Sequence, residues 1–336
     1  MFAFVLALLL SQAPARAADL ADMYPRDVLA ADAARLENAV RKIYSLGLAP
    51  TLTAVEQAGL NAVTLQFPMP SPGDEPLNFF ATTDAAGRSV VVMPILSLKA
   101  LEDMATAYAW VHKRGWRAST IDLYYAMLRH RPQDRFPGGR YPDILTALGI
   151  PKNANDDKDV DRLSLSLRNE AIAFILGHEL GHVLFRHKGY GEITRQQARD
   201  DEVQSDRFAL DVMARSATPP LGAVLYFQAQ VYRFRHRGEF ETARAFDDYL
   251  MTVATHPMTV DRIEALARHI SGPLAERRAS ERAIWVGIGQ QLAGVADLLR
   301  DGNLARCIAK VAAEAPWSAL RPTRSDQRGV IETACR

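Results

Sequence analysis

The sequence has little cysteine, little net charge and no long apolar segment outside its amino terminus. Its 336 residues carry a net charge of +1 and no long basic run, so we expect no nucleic-acid partner. The longest later apolar stretches, 171–185 and 284–299, contain polar or charged residues and fall short of the roughly 18 clean residues of a membrane-spanning helix. No internal repeat is present, which excludes a solenoid. These absences, with 48% apolar and 24% charged residues, predict a globular, soluble mature protein.

The two cysteines, Cys307 and Cys335, lie 28 positions apart near the carboxyl terminus. No lipidated-cysteine motif is present. In an exported protein this pair predicts one disulfide bond, and the alternative is two unpaired thiols.

An apolar run, Phe2–Leu10, opens the chain and is followed by small residues up to Ala17. This pattern predicts a secretory signal peptide over residues 1–17 and therefore a periplasmic or secreted protein. No Lys or Arg precedes the run, so an uncleaved anchor stays open, although nine apolar residues cannot span a bilayer of about 30 Å. Peripheral membrane association also stays open, and nothing predicts the oligomeric state.

The stretch 171–185 contains the letters HELGH, with His178 and His182 four residues apart. On the helix that we predict for residues 163–187, both imidazoles lie on one face and can share a zinc ion. Glu179 would then lie beside the metal as a candidate general base rather than as a ligand. The alternative is a buried amphipathic helix whose histidines find hydrogen-bond partners in the core.

Two glycines, Gly177 and Gly181, flank the histidines on this predicted helix. Each costs the helix about 1 kcal/mol relative to Ala. We therefore expect another part of the chain to approach the helix backbone closely at this point.

A catalytic zinc site needs a third protein ligand. In the extended form of the motif, a third His ligand lies ten residues after the first. This chain does not have that form, because position 188 is Lys and His187 comes one residue early. Glu202, on a following predicted helix, is the better candidate. Asp206, one turn further on the same face, can accept the free N–H of a ligating His. The alternative is that Glu202 and Asp206 are surface acids paired with arginines of the same helix. Asp200 and Asp201 are weaker candidates for the third ligand, because we expect them to point to other sides of that helix.

The remaining pattern predicts an α+β fold that is predominantly helical. Strands are expected at 63–67, 78–82 and 89–93, as a small antiparallel sheet beside the HELGH helix. Helices are expected at 19–47, 98–112, 120–130, 196–215, 220–234, 240–253, 259–270 and 280–300. Residues 131–162 are rich in Pro, Gly and polar residues and predict a loop or lid, and we assign their acidic run, 155–161, to solvated surface rather than to a metal site.

The combination of HELGH, the Glu202–Asp206 spacing with the following Arg207, and the later segment His256-Pro257 to Arg262 resembles the gluzincin zinc metallopeptidases. The HtpX-like and CAAX-prenyl-protease-like family has this order of motifs, and the resemblance covers roughly residues 75–270. It implies one zinc ion per chain, bound by His178, His182 and Glu202, with Glu179 as base and Asp206 behind the ligands. It also implies that His256 and Arg262 line the cleft.

The resemblance implies a gluzincin-like metallopeptidase core over residues 61–270, with an inserted region at 98–162. An amino-terminal helical segment, 18–60, precedes this core, and a helical extension, 271–336, follows it. Members at membranes carry transmembrane helices that this chain lacks, so it is similar to the soluble exported branch.

These observations predict a zinc-dependent endopeptidase that cleaves unfolded or misfolded exported polypeptides. His256 would stabilise the oxyanion, occupy the open zinc position reversibly, or form a structural turn; Arg262 would orient substrate or pair with Asp206 or Glu264. The strand 89–93 could take an extended peptide by strand addition. The alternatives are a non-catalytic or latent zinc-stabilised binding protein and a zinc amidase acting on cell-wall peptides.

Overall fold

The computed structural model describes residues 19–189, 192–233, 237–252 and 258–335. The chain is predominantly helical, at 71%, with a three-stranded sheet, in agreement with the predicted α+β class. The helices are α1 (Arg26–Lys42), α2 (Ala54–Leu60), α3 (Ile95–Lys113), α4 (Ser119–His130), α5 (Ile144–Leu148), α6 (Lys158–Leu184), α7 (Arg195–Arg215), α8 (Leu221–Arg233), α9 (Ala243–Thr252), α10 (Val260–His269), α11 (Ala275–Arg277), α12 (Arg282–Arg300), α13 (Gly302–Glu314) and α14 (Val330–Cys335). Two π-helical turns, Ile43–Leu48 and Ile270–Leu274, extend α1 and α10.

Helix α6 is the central element, and α3, α7 and α8 pack along it. It begins where the side chain of Asp157 accepts hydrogen bonds from the backbone N–H groups of Asp159 and Val160. The predicted acidic run therefore caps this helix and places negative charge at its positive end. The helix contains 27 residues and ends at Leu184, so it starts five residues earlier and ends three residues earlier than the sequence predicted.

Helices α6 and α7 approach closely at the two glycines of the motif. A Cβ atom on Gly181 would lie 3.0 Å from the Cα of Ser205, and one on Gly177 would lie 3.1 Å from the Cα of Ala209. The predicted close approach is thus confirmed, and the partner is α7. Small residues on both sides allow the contact, which positions the acidic face of α7 against the histidines of α6.

The sheet consists of β1 (Thr64–Gln66), β2 (Phe80–Thr83) and β3 (Ser89–Val92), in the order β1-β3-β2. The predicted antiparallel arrangement is only half right, because β2 pairs antiparallel with β3 whereas β1 pairs parallel with it. A turn joins β2 to β3, with Gly87 at φ 75°. Since β3 lies between its neighbours, the predicted strand addition at 89–93 is wrong: within the described residues, the free edge beside α6 belongs to β2.

The predicted loop or lid at residues 131–162 contains one short helix, α5, and several of its apolar side chains reach the core. Phe136, Ile144, Leu148 and Ile150 are all buried in the core. Helix α3, at the start of the predicted insertion, packs directly along α6. Almost all of its residues from Ile95 to Val111 are buried. Because the segment 131–162 is polar and rich in Pro and Gly, its sequence did not indicate that some of its side chains belong to the core.

Both ends of the described chain join the same core. Leu29 and Leu36 of α1 pack in one hydrophobic cluster with Ile308 of α13 and Ile331 of α14. The predicted disulfide is present, because Cys307 is bonded to Cys335 with a Cα–Cα distance of 5.7 Å. Across the described ranges, no helix has the length and apolar content needed to cross a membrane. The predicted signal peptide, residues 1–17, lies outside the described residues.

Candidate metal centre

Three of the predicted ligands meet between α6 and α7. The Nε2 atoms of His178 and His182 lie 3.0 Å apart, and each faces a different carboxylate oxygen of Glu202, at 3.6 Å and 3.3 Å respectively. One donor atom from each of the three residues lies within 4.8 Å of the other two. Glu202 is fully buried, and His178 is 4% exposed. This group could hold a metal ion.

The third residue reaches the histidines because of helix periodicity and the glycine contact. Glu202 and Asp206 are four residues apart on α7, so both carboxylates lie on the face that meets α6. Both are completely buried. The alternative that they are surface acids paired with arginines of their own helix is therefore wrong.

Asp206 lies behind His178. Its Oδ1 atom is 2.8 Å from the Nδ1 of His178, the ring nitrogen that faces away from Glu202. Arg262 of α10 donates to both oxygens of Asp206, from Nε at 2.7 Å and from Nη2 at 2.8 Å. Burial alone would raise the pKa of Asp206, but the charges of Arg262 and His178 hold it below its usual value. Burial lowers the pKa of His178, which favours the neutral imidazole that a metal requires.

Arg262 also holds Glu202. Its Nη1 lies 2.6 Å from Oε2 of that carboxylate, so Oε1 is the oxygen turned toward His182. The guanidinium is 4% exposed and stacks on Phe227, with its Cζ 5.4 Å from the ring centroid. Of the two predicted ion-pair partners, Asp206 pairs with Arg262, whereas Glu264 pairs with Arg268 and Arg300.

The charge of the centre fits a divalent cation. Among the described residues, the buried charged side chains in or beside the centre are one cation, Arg262, and four carboxylates, so these five side chains carry a formal charge of −3; the carboxylates are Glu179, Asp201, Glu202 and Asp206. Two imidazole nitrogens and one carboxylate oxygen form a donor set that zinc binds at catalytic sites. Two neutral imidazoles can turn lone pairs toward the same point only if a cation or a proton lies between them.

Glu179 borders an open cleft beside these donors. The cleft has a volume of about 690 Å³ and lies between β2 and the end of α6, where Glu179 and His182 form part of its wall. Glu179 is only 2% exposed, and its other side borders a small cavity of about 10 Å³ that also contacts Phe174 and Arg262. Space of that size is close to what one water molecule needs.

One neighbour of the centre was not predicted. His187 lies just beyond the end of α6, and its Nδ1 is 3.0 Å from the Nδ1 of His182. Its Nε2 is 3.0 Å from Oε1 of Gln204 and 3.5 Å from Oδ1 of Asp201. From the sequence, His187 is one residue short of the position of a third ligand, and its five-residue spacing from His182 was the signal for a different role. His256 lies outside the described residues, so none of its three predicted roles is placed.

The family model described as Peptidase U49 matches residues 141–285, a little under half of the chain. The matched segment includes α6, α7 and α10 and therefore every described residue of the centre. Comparison with curated proteins and with solved structures gives no match. The family match supports a peptidase, and hence a hydrolase.

Proposed function

We propose that this protein is a zinc-dependent endopeptidase. The observation that carries the proposal is the position of Glu179 between an open cleft and a buried group of two imidazoles and one carboxylate. A purely structural zinc site is closed by a fourth protein ligand and gains nothing from an adjacent carboxylate. The match to a peptidase family supports the same assignment.

His178, His182 and Glu202 would hold the zinc ion. When bound, zinc would polarise a substrate carbonyl and make a water molecule more acidic. Glu179 would accept a proton from the attacking water and then donate it to the leaving amine of the cleaved peptide bond. Arg262 and Asp206 would keep Glu202 and His178 in place during both proton transfers, because together they hold one oxygen of Glu202 and one nitrogen of His178.

The free edge of β2 suggests how substrate binds. Phe80, Ala81, Thr82 and Thr83 form one wall of the cleft, and Ala81 and Thr82 pair with β3 on the opposite edge of the strand. An extended peptide can add to this edge through backbone hydrogen bonds, which read main chain more than side chains. We therefore propose unfolded polypeptides as the substrate class.

We also propose that these substrates are exported polypeptides. The Cys307–Cys335 disulfide supports an oxidising compartment, and the apolar segment 2–10 with the small residues after it supports secretion. Cell fractionation and amino-terminal sequencing of the native protein test this location. Recovery of the reduced protein in the cytoplasm would contradict it.

The activity is tested by cleavage of an unfolded protein such as casein, with wild type and Glu179→Gln each confirmed to hold one zinc ion. We expect the variant to cleave at least about 100-fold more slowly, because it retains the ligands but has no base. Glu276→Gln, at an exposed position of α11, is the matched control and should cleave as wild type does. Zinc-loaded wild type without activity would favour the alternative of a latent or non-catalytic binding protein, and equal activity of all three proteins would exclude Glu179 as the base.

A further inference from the structure

The end of α6 folds back on itself in a defined way. Arg186 has φ 56°, in the left-handed region, and the chain reverses there. The backbone N–H of His187 donates to the carbonyl of His182 at 3.0 Å, and that of Arg186 donates to the carbonyl of Val183 at 3.1 Å. These two bonds form a Schellman motif, which brings the second residue after the helix cap against the last turn of the helix. In this chain the two residues that meet are His187 and His182.

The imidazole of His187 has contacts at both ring nitrogens. Its Nδ1 lies 3.0 Å from the Nδ1 of His182 and 3.3 Å from the Oγ of Ser205. Its Nε2 lies 3.0 Å from Oε1 of Gln204 and 3.5 Å from Oδ1 of Asp201. The two rings meet nearly edge to face, with an interplanar angle of 78°. Asp201 is 4% exposed, so this chain of contacts ends in the protein interior.

Only one distribution of protons satisfies these contacts when His182 binds a cation. The Nε2 of His182 then needs its lone pair, so its proton is on Nδ1 and must be donated. His187 can accept that proton only at an unprotonated Nδ1, which places its own proton on Nε2. From there the N–H donates to Gln204 and Asp201, both of which present acceptor oxygens. Every donor in the series meets an acceptor.

We propose that His187 is a positioning residue that fixes His182 in the tautomer whose Nε2 lone pair faces the metal. The inference rests on the proposed metal site. It gives His182 a different support from that of His178, whose Nδ1 lies directly against the carboxylate of Asp206. In this role His187 acts through its contact with His182.

The proposal is tested by measuring the zinc dissociation constant through competition with a chromophoric chelator. His187→Leu removes the acceptor, and we expect it to weaken zinc binding by about 10–100-fold. His187→Asn keeps an acceptor oxygen near the position of Nδ1 and should bind zinc within about threefold of wild type, a rescue that loss of packing alone would not produce. His112→Leu, at the exposed end of α3, is the matched control and should bind as wild type does.

A second readout is the tautomer of His182 in the zinc-loaded protein, measured by nitrogen NMR after labelling of histidine. We expect the proton on Nδ1 in wild type and in His187→Asn. Equal zinc affinity of wild type and His187→Leu, or equal weakening by Leu and Asn, would overturn the positioning role while leaving the metal site intact. Failure of wild type itself to bind zinc would overturn the metal site and this inference together.

Discussion

Two clusters of charged side chains lie along α6, one partly exposed and one buried, and they are built in different ways. The first, which we call the ion network, has three cations and three carboxylates from α1, α3 and α6: Asp32, Arg35, Lys99, Glu102, Asp103 and Arg168. At its centre, Glu102 accepts from Arg35 at 2.6 and 2.7 Å and from Arg168 at 2.7 Å. Every charge there is neutralised by another protein charge.

The second cluster, the candidate metal centre, begins ten residues later on the same helix and is built differently. Among the described residues, Arg262 is the buried cation that contacts Glu202 and Asp206. The ion network thus joins carboxylates to cationic side chains, whereas the second cluster turns two imidazole nitrogens and a carboxylate oxygen toward one another, as a metal site requires.

The largest expected effect is the loss of zinc from Glu202→Gln. The variant removes the anionic ligand oxygen and should lower zinc affinity by at least about 100-fold. Even substitution of a residue that only hydrogen-bonds a metal ligand lowers metal affinity by about 10–100-fold. Elemental analysis after dialysis against a weak chelator measures the bound zinc. Glu102→Gln makes the same chemical change in the ion network and should retain one zinc ion. Zinc loss from both variants, or from neither, would contradict a role for Glu202, and not Glu102, in binding zinc.

The same Glu102→Gln variant should lose stability. The variant leaves Arg168 buried without its carboxylate partner, and we expect this to lower the unfolding free energy by about 3 kcal/mol. The lost pair with Arg35 adds little to this figure, because Arg35 is exposed. Burial alone would raise the pKa of Glu102, but Arg35, Lys99 and Arg168 lower it. Its contribution is therefore present above pH 4.5 and is lost as the pH falls through the lowered pKa. Urea unfolding at several pH values measures the difference, and a difference that grows in acid would contradict the account.

Asp103, the next residue in the ion network, should show the opposite pH dependence. Burial raises the pKa of this carboxyl from 3.8 to about 6, despite its contact with Lys99. Its contribution to stability is then full below pH 3.8 and is lost as the pH rises through about 6. Relative to Asp103→Asn, wild type should lose about 2 kcal/mol of unfolding free energy between pH 4 and pH 7. Parallel stability curves for the two proteins would show that Asp103 does not titrate in this way.

The smallest expected effect concerns the contact that builds the metal centre. Gly181→Ala places a Cβ 3.0 Å from the Cα of Ser205, so α7 must move by a few tenths of an ångström and carry Glu202 with it. We expect a loss of about 1 kcal/mol and weaker zinc binding. Gly287→Ala, where the structure has nothing within 4 Å of the added atom, should instead gain up to about 1 kcal/mol. Thermal unfolding and zinc titration of both variants distinguish a contact effect from helix propensity.

The ligand group could be predicted from sequence because helix periodicity determines it. His178 and His182 share a face at a spacing of four, as do Glu202 and Asp206, and Gly177 signalled the contact that brings the two faces together. These are local properties of two long helices, so they can be predicted without knowledge of the tertiary fold.

The parts that could not be predicted depend on long-range or turn geometry. The parallel pairing of β1 with β3 joins residues 26 positions apart, and the alternation of apolar residues along the strands does not specify that pairing. The ion network joins Glu102 to residues 67 and 66 positions away. The role of His187 depends on the left-handed conformation of Arg186, a residue type that does not signal such a turn.

The proposed metal ion would bind between His178, His182 and Glu202. Anomalous X-ray diffraction from zinc-loaded crystals, collected on both sides of the zinc absorption edge, tests this site. We expect one strong anomalous peak at bonding distance, about 2.0–2.2 Å, from Nε2 of His178, Nε2 of His182 and an oxygen of Glu202. A zinc-loaded crystal with no peak there, and with Arg262 and a water network neutralising the carboxylates, would contradict it.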